Sequence, residues 1–188
     1  MKNMIEKFNY NAPVTLTFTF LALGVQLLNS LIRDQAVINW FALRPYFSSG
    51  TFFRSITYVF THGDFNHFFA NFSIILLIGP MIEEKYGSKR LLLMGIITAL
   101  FTATLHILFF NSGLIGASGI VFMLILLTPF TNMKTGKIPM TLLLVACFYI
   151  GREVFLAITV DDNVSRFAHI FGGFVGGAIG YFLHSFKR

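Results

Sequence analysis

Residues 91–133 read LLLMGIITALFTATLHILFFNSGLIGASGIVFMLILLTPFTNM, with no Asp, Glu, Lys or Arg along them. A helix crossing the hydrocarbon core needs roughly 20 mostly apolar residues, so the run is too long for one span and long enough for two. The turn-forming Asn111-Ser112-Gly113 supplies the break. Working outward, Thr131 to Lys137 marks the next turn, and further apolar runs lie on either side. The candidate spans are 13–32, 65–82, 91–110, 117–132, 138–158 and 165–185. The fold expected is all-α: a polytopic membrane protein with a six-helix bundle, residues 1–188 forming one membrane domain.

Composition agrees. The 188 residues are 55% hydrophobic and 12% charged, with a mean hydropathy of +0.73; a soluble domain carries about 25% charged residues. Twenty-four Phe and 16 Gly point the same way, because Gly is commoner in spanning helices than in soluble ones. The net charge of +6 does not imply nucleic acid, because the basic residues sit in short loops between apolar runs instead of on a soluble face. The single cysteine, Cys147, excludes an intrachain disulfide, and its apolar surroundings predict a packing role. The apolar stretch after Lys2 and Lys7 is longer than a signal-peptide core and lacks a small-residue cleavage site, so it reads as an uncleaved first span.

Six spans place both termini on one side. If that side is cytoplasmic, it holds Lys2, Lys7, Lys85, Lys89, Arg90, Lys134, Lys137, Lys187 and Arg188, leaving Arg33, Arg44, Arg54, Arg152 and Arg166 opposite. Every lysine falls on one side, which is the positive-inside bias. The 33–64 segment is then extracytoplasmic, and its Trp40, Phe41, Tyr46, Phe47, Phe52 and Phe53 predict a loop partly sunk in the interface.

Polar residues inside a membrane are expensive and mark functional sites, so their depth matters. Counting from the nearest cytoplasmic charge at about 1.5 Å per residue, Ser118 stands about 24 Å above Lys134 and His67 about 24 Å above Glu83. His169 stands about 27 Å above Lys187. All three fall in the outer third of a core about 30 Å thick. The fourth span is too short to cross if it starts near Ser118, so its N-terminus is expected below the outer surface.

Local context suggests roles. Gly116-Ala117-Ser118-Gly119 sets the serine at a helix start, where unpaired N–H groups suit a developing oxyanion. His67 and Asn71 share a helix face at i,i+4, and both can donate to the same anion. After His169 come Gly172, Gly173, Gly176, Gly177 and Gly180, a small-residue stripe that lets two backbones approach in lipid. Packing of this stripe on the fourth span carries His169 towards Ser118, with Phe122 placed to stack on the imidazole. No acid is expected at this depth: Asp64, Asp161 and Asp162 are at the rims, and Arg152-Glu153 reads as a local pair near the outer interface. The expectation is a Ser118–His169 dyad with the imidazole oriented by packing.

Each signal alone has a bland reading. Gly-x-Ser-Gly and the glycine stripe are usually packing, and His67 with Asn71 is usually an interhelical hydrogen-bond pair. Three motifs on the right spans, at one depth and in order, decide for chemistry. His62 and His67, at i,i+5, do not share a face well, and no His-Glu-x-x-His zinc motif is present. His106 and His184 read as structural or interfacial.

These residues resemble the rhomboid intramembrane serine proteases in their minimal six-helix bacterial form. The likeness runs from about residue 10 to the end. His67-Phe68-Phe69-Ala70-Asn71 matches the family's His-x-x-x-Asn. Gly116 to Gly119 matches Gly-x-Ser-Gly, and Ala168, His169, Gly172 and Gly176 match the sixth-span motif. Glu83 and Gly87 fit as well. Two positions depart: Phe53-Arg54 stands where Trp-Arg is typical, and Phe122 where Tyr is frequent.

The resemblance implies an intramembrane serine endopeptidase with Ser118 as nucleophile and His169 as base. It also implies an oxyanion hole from His67, Asn71 and the Ser118 backbone N–H. Gly116, Gly119, Phe122, Gly172, Gly173 and Gly176 would support that site. It further implies a bacterial inner-membrane location and an active site opening outward. Substrates would be transmembrane segments admitted near the fifth span and cut near their extracytoplasmic end, after a small residue; no metal or organic cofactor is implied. The rival is a catalytically inactive rhomboid-like binder of membrane clients, but such proteins typically lack the serine or the histidine. A small transporter is disfavoured because the spans show no obvious internal repeat.

Overall fold

The computed structural model describes residues 9–32, 36–132, 137–159 and 166–185. Lys2, Lys7, Arg33, Lys134, Asp161, Asp162, Lys187 and Arg188, used above, lie outside the described residues. Among the described residues six longer helices occupy the expected positions: α1 (Pro13–Leu31), α4 (Phe65–Tyr86), α5 (Ser88–Phe109), α6 (Ser118–Leu127), α7 (Met140–Thr159) and α8 (Arg166–Ser185). Between α1 and α4 lie two short helices, α2 (Ala36–Phe41) and α3 (Thr51–Thr57), and a 3₁₀ turn at Tyr58–Phe60. Among the described residues α1, α4 and α5 combine the length and hydropathy of a membrane span.

Burial is inverted relative to a water-soluble bundle. On α1 the buried positions are Thr15, Thr19, Ala22 and Gln26, while Phe20, Leu27 and Leu31 face outward. On α5 the buried set includes Thr98, Thr102 and His106, while Leu92, Leu93 and Phe109 are exposed. Polar groups turned inward and large apolar side chains turned outward are what a hydrocarbon solvent selects. This is a helical membrane bundle.

At its centre stands α6, buried at Gly119 and from Val121 to Leu127. Its 10 residues reach about 15 Å before a 3₁₀ segment, Thr128–Asn132, continues the chain. The helix starts at Ser118, at the end the sequence places below the outer surface.

The helix that carries the second span, α4, continues past residue 82 to Tyr86 and stops at Gly87, whose φ of 87° few side chains tolerate. Glu83, the level from which the depth of His67 was counted above, is buried, and its carboxylate accepts from Val14 N (2.9 Å), Thr15 N (3.0 Å) and Thr15 Oγ1 (2.8 Å). Cys147 is exposed on α7 and packs in no core.

Candidate active site

The segment before Ser118 is pinned from three directions. Leu43 and Leu114 exchange backbone hydrogen bonds of 3.0 and 3.1 Å, Gly116 N–H donates to the Tyr58 carbonyl (3.0 Å), and Ala117 N–H donates to His62 Nε2 (3.3 Å). The Gly116 and Ala117 amides are thus committed to the scaffold. The amides of Ser118 and the residues after it begin α6, and the first amides of a helix lack a partner one turn back within it.

Gly116 has a φ of 103°, open to glycine and strained for other residues. A Cβ there would lie 2.9 Å from His67 Nε2 and 3.8 Å from Asn71 Nδ2. Glycine therefore lets both α4 side chains close on the backbone two residues before Ser118. His67 is fixed at the start of α4, where its N–H donates to the capping carboxylate of Asp64 (2.8 Å). Asn71 is buried, and its amide nitrogen has no hydrogen-bond partner among the described residues. A buried unpaired donor is costly, and donors kept free are the sort of group that functional sites retain.

The base candidate arrives on α8. Within the bundle, α6 packs most extensively against α8. A Cβ on Gly172 would be driven into the Gly119 carbonyl, and one on Gly176 into the Met123 carbonyl. One on Gly119 would sit 3.4 Å from the Ala168 carbonyl. This close crossing carries His169 to the start of α6, where its ring stacks on Phe122 with centroids 4.7 Å apart and planes 9° from parallel.

The stripe is narrower than the sequence suggested. Gly172, Gly176 and Gly180 face α6 and the turn after it, Gly173 lies between Ile150 of α7 and Leu126 of α6, and among the described residues a Cβ on Gly177 would meet nothing within 4 Å. An i,i+4 row makes one ridge, and its i+1 neighbours stand to the side of it.

The expectation that no acid reaches this level is corrected by Glu153. Its carboxylate, 1% exposed, places Oε2 2.8 Å from His169 Nδ1, while Oε1 accepts from Arg152 (2.7 Å) and Arg166 lies 3.7 Å from Oε2. The Arg152–Glu153 pair read from the sequence is present, yet it is half of a larger arrangement. The signal was available: Glu153 lies 16 residues beyond Lys137, matching the 16 that separate Ser118 from Lys134.

His62 was also under-read. It precedes α4, so the i,i+5 argument does not apply, and its ring meets that of His67 edge-on at 4.9 Å. Burial, with a smaller contribution from His67, pulls the His62 imidazole down to about 3. Among the described residues no group of three His, Cys, Asp or Glu is arranged to hold a metal ion. His106 ties the end of α5 to the following turn through the Ser112 carbonyl (3.0 Å), a structural role.

A family model described as Rhomboid domain matches residues 49–186. Curated relatives include the Rhomboid protease GlpG of Yersinia pestis (strain Pestoides F) and that of Yersinia pseudotuberculosis (serotype O:3), each 30% identical over 114 residues. The GlpG of Yersinia enterocolitica is 27% identical over 113 residues. In each case the match takes in 60% of this chain and 41% of the relative, so the chain spans less than half the length of these proteins. With the family model covering most of the sequence, from the first loop to the end of α8, the chain belongs to the rhomboid family.

Proposed function

We propose that this protein is an intramembrane serine endopeptidase that cleaves transmembrane segments of other membrane proteins near their extracytoplasmic end. The observation that carries the reading is the free Asn71 amide nitrogen beside Gly116, at the start of the helix that presents Ser118. A packing motif has no use for a buried donor left unpaired, whereas a transient oxyanion does.

In this mechanism Ser118 Oγ attacks a peptide carbonyl as neutral His169 takes its proton at Nε2. The carbonyl oxygen becomes an anion held by His67, Asn71 and the Ser118 N–H. Collapse breaks the C–N bond, and the His169 proton leaves on the new amine. Water, activated by the same imidazole, then hydrolyses the acyl ester and restores Ser118. Phe122, flat against the ring, keeps the imidazole from rotating out of reach. The site opens extracytoplasmically, both termini are cytoplasmic, and substrate comes in laterally near α7, where Phe148, Phe155 and Ile158 face outward.

The test uses the purified chain in liposomes with a fluorogenic transmembrane peptide and a fluorophosphonate label. Wild type is expected to cleave and to label, and Ser118→Ala and His169→Ala to do neither. Labelling that persists in Ser118→Ala overturns the assignment of the nucleophile. A folded wild type that binds the peptide without cutting or labelling points to the inactive client binder.

A further inference from the structure

The geometry points to Glu153 as a positioning residue that completes a Ser118–His169–Glu153 array; this rests on the peptidase reading above and deepens it. A carboxylate can only accept a hydrogen bond, so at 2.8 Å from Nδ1 it requires the proton of neutral His169 to be on that nitrogen. Nε2 is then left with its lone pair, the form a base for Ser118 must have. Stacking on Phe122 fixes the plane of the ring but does not distinguish its two nitrogens or stop it sliding in that plane. The Glu153 contact does both.

A purely structural reading would make Glu153 a staple between α7 and α8. That staple is already present in its approach to Arg166. It does not call for the second contact, in which the same oxygen sits nearer the imidazole than the guanidinium. Removing a carboxylate from water is expensive, and in a membrane bundle such groups are found with partners. Here the guanidiniums of Arg152 and Arg166 balance the charge, so the carboxylate does not depend on an imidazolium at rest. When Ser118 gives up its proton, His169 becomes positive with both nitrogens protonated. The nearby carboxylate then stabilises that cation without taking a proton from it. The contact also joins the α7 helix to the base, so it holds only while α7 is packed against α8.

Steady-state cleavage by Glu153→Gln, Glu153→Ala and Glu153→Asp, in the full chain in liposomes, tests the assignment. Glu153→Ala is expected to lower kcat by about 10²-fold with KM within about twofold. The rate of fluorophosphonate labelling should fall in parallel. Formate should restore part of the Glu153→Ala rate, because it refills the vacated carboxylate position, and restore nothing in Ser118→Ala. Glu153→Asp should recover more activity than Glu153→Gln, although Gln is closer in size. Glu153→Ala and Glu153→Gln within about threefold of wild-type kcat would overturn the proposal. So would a loss that lies wholly in thermal stability or KM and does not respond to formate. If Glu153→Ala does not fold, the Gln and Asp pair decides by the same order of kcat. A wild type that neither cleaves nor labels overturns the peptidase reading itself, a distinct result.

Discussion

His62 shows how a single buried side chain sets the backbone that leads into Ser118. Its Nε2 accepts the Ala117 N–H, so a protonated ring would set two N–H groups against each other in a fully buried place. In the fold the imidazole is held down to about 3 by burial, with His67 lowering it further and Asp64 opposing. In the unfolded chain it takes up a proton near its ordinary value of 6.5. Below that value the unfolded state binds the extra proton and the folded state does not. The contribution of His62 to stability is therefore complete above pH 6.5 and lost as pH falls towards about 3. Thermal unfolding in detergent should show a larger drop in Tm from pH 7.5 to pH 5 for wild type than for His62→Gln. Equal drops would remove His62 from this account. What the sequence disclosed at this scale were the residues whose neighbours along the chain advertise them: Ser118 between glycines, His67 one turn before Asn71, His169 ahead of its glycines. Glu153 was hidden because its neighbour Arg152 offered a sufficient local explanation. The contact that matters crosses from α7 to α8, and no spacing within one helix encodes it.

Between elements, the same kinds of residue serve two unlike purposes, capping and close packing. The N-terminus of α1 has no capping side chain of its own, since Ala12 precedes Pro13. Glu83 on α4 supplies the cap from outside, accepting two α1 amides and the Thr15 hydroxyl, and Gly79 leaves room for Thr15 to approach. An acid that looks like a helix terminus in the sequence is thus an interhelical clamp. At the other contact, α6 and α8 cross at glycines, and the fit can be tested glycine by glycine. Gly172→Ala forces a methyl onto the Gly119 carbonyl next to Ser118. It should destabilise the bundle by about 2 kcal/mol and, on the proposed mechanism, reduce cleavage, because His169 is pushed from Ser118. Gly177→Ala meets open space and should leave activity unchanged while stabilising the helix by up to about 1 kcal/mol. Unfolding temperatures and cleavage rates of the two variants, measured side by side, check the difference. Similar effects from both would mean that the crossing is not what sets the distance between Ser118 and His169.

For the molecule as a whole, the inverted burial of α1 and α5 and the short central α6 describe a bundle with its polar groups turned inward. The helix positions were legible from hydropathy and turn residues, because lipid leaves few ways to satisfy a backbone. The first loop was legible only as aromatic and interfacial. That it also pins the segment before Ser118, through Leu43, Tyr58 and His62, depends on contacts distant in sequence. These contacts bring the loop to the same end of the bundle as Ser118, so the side on which this end lies decides from where the proposed hydrolysis would draw its water. The lysine distribution argues for the extracytoplasmic side. Cysteine labelling in intact cells tests it, in a background where the exposed Cys147 is first replaced by Ala. Asn111 and Lys89 are both exposed, at opposite ends of α5. Asn111→Cys should react with a membrane-impermeant maleimide from outside, and Lys89→Cys only after permeabilisation. The reverse pattern would turn the site towards the cytoplasm, and substrates would then be cut at their inner ends.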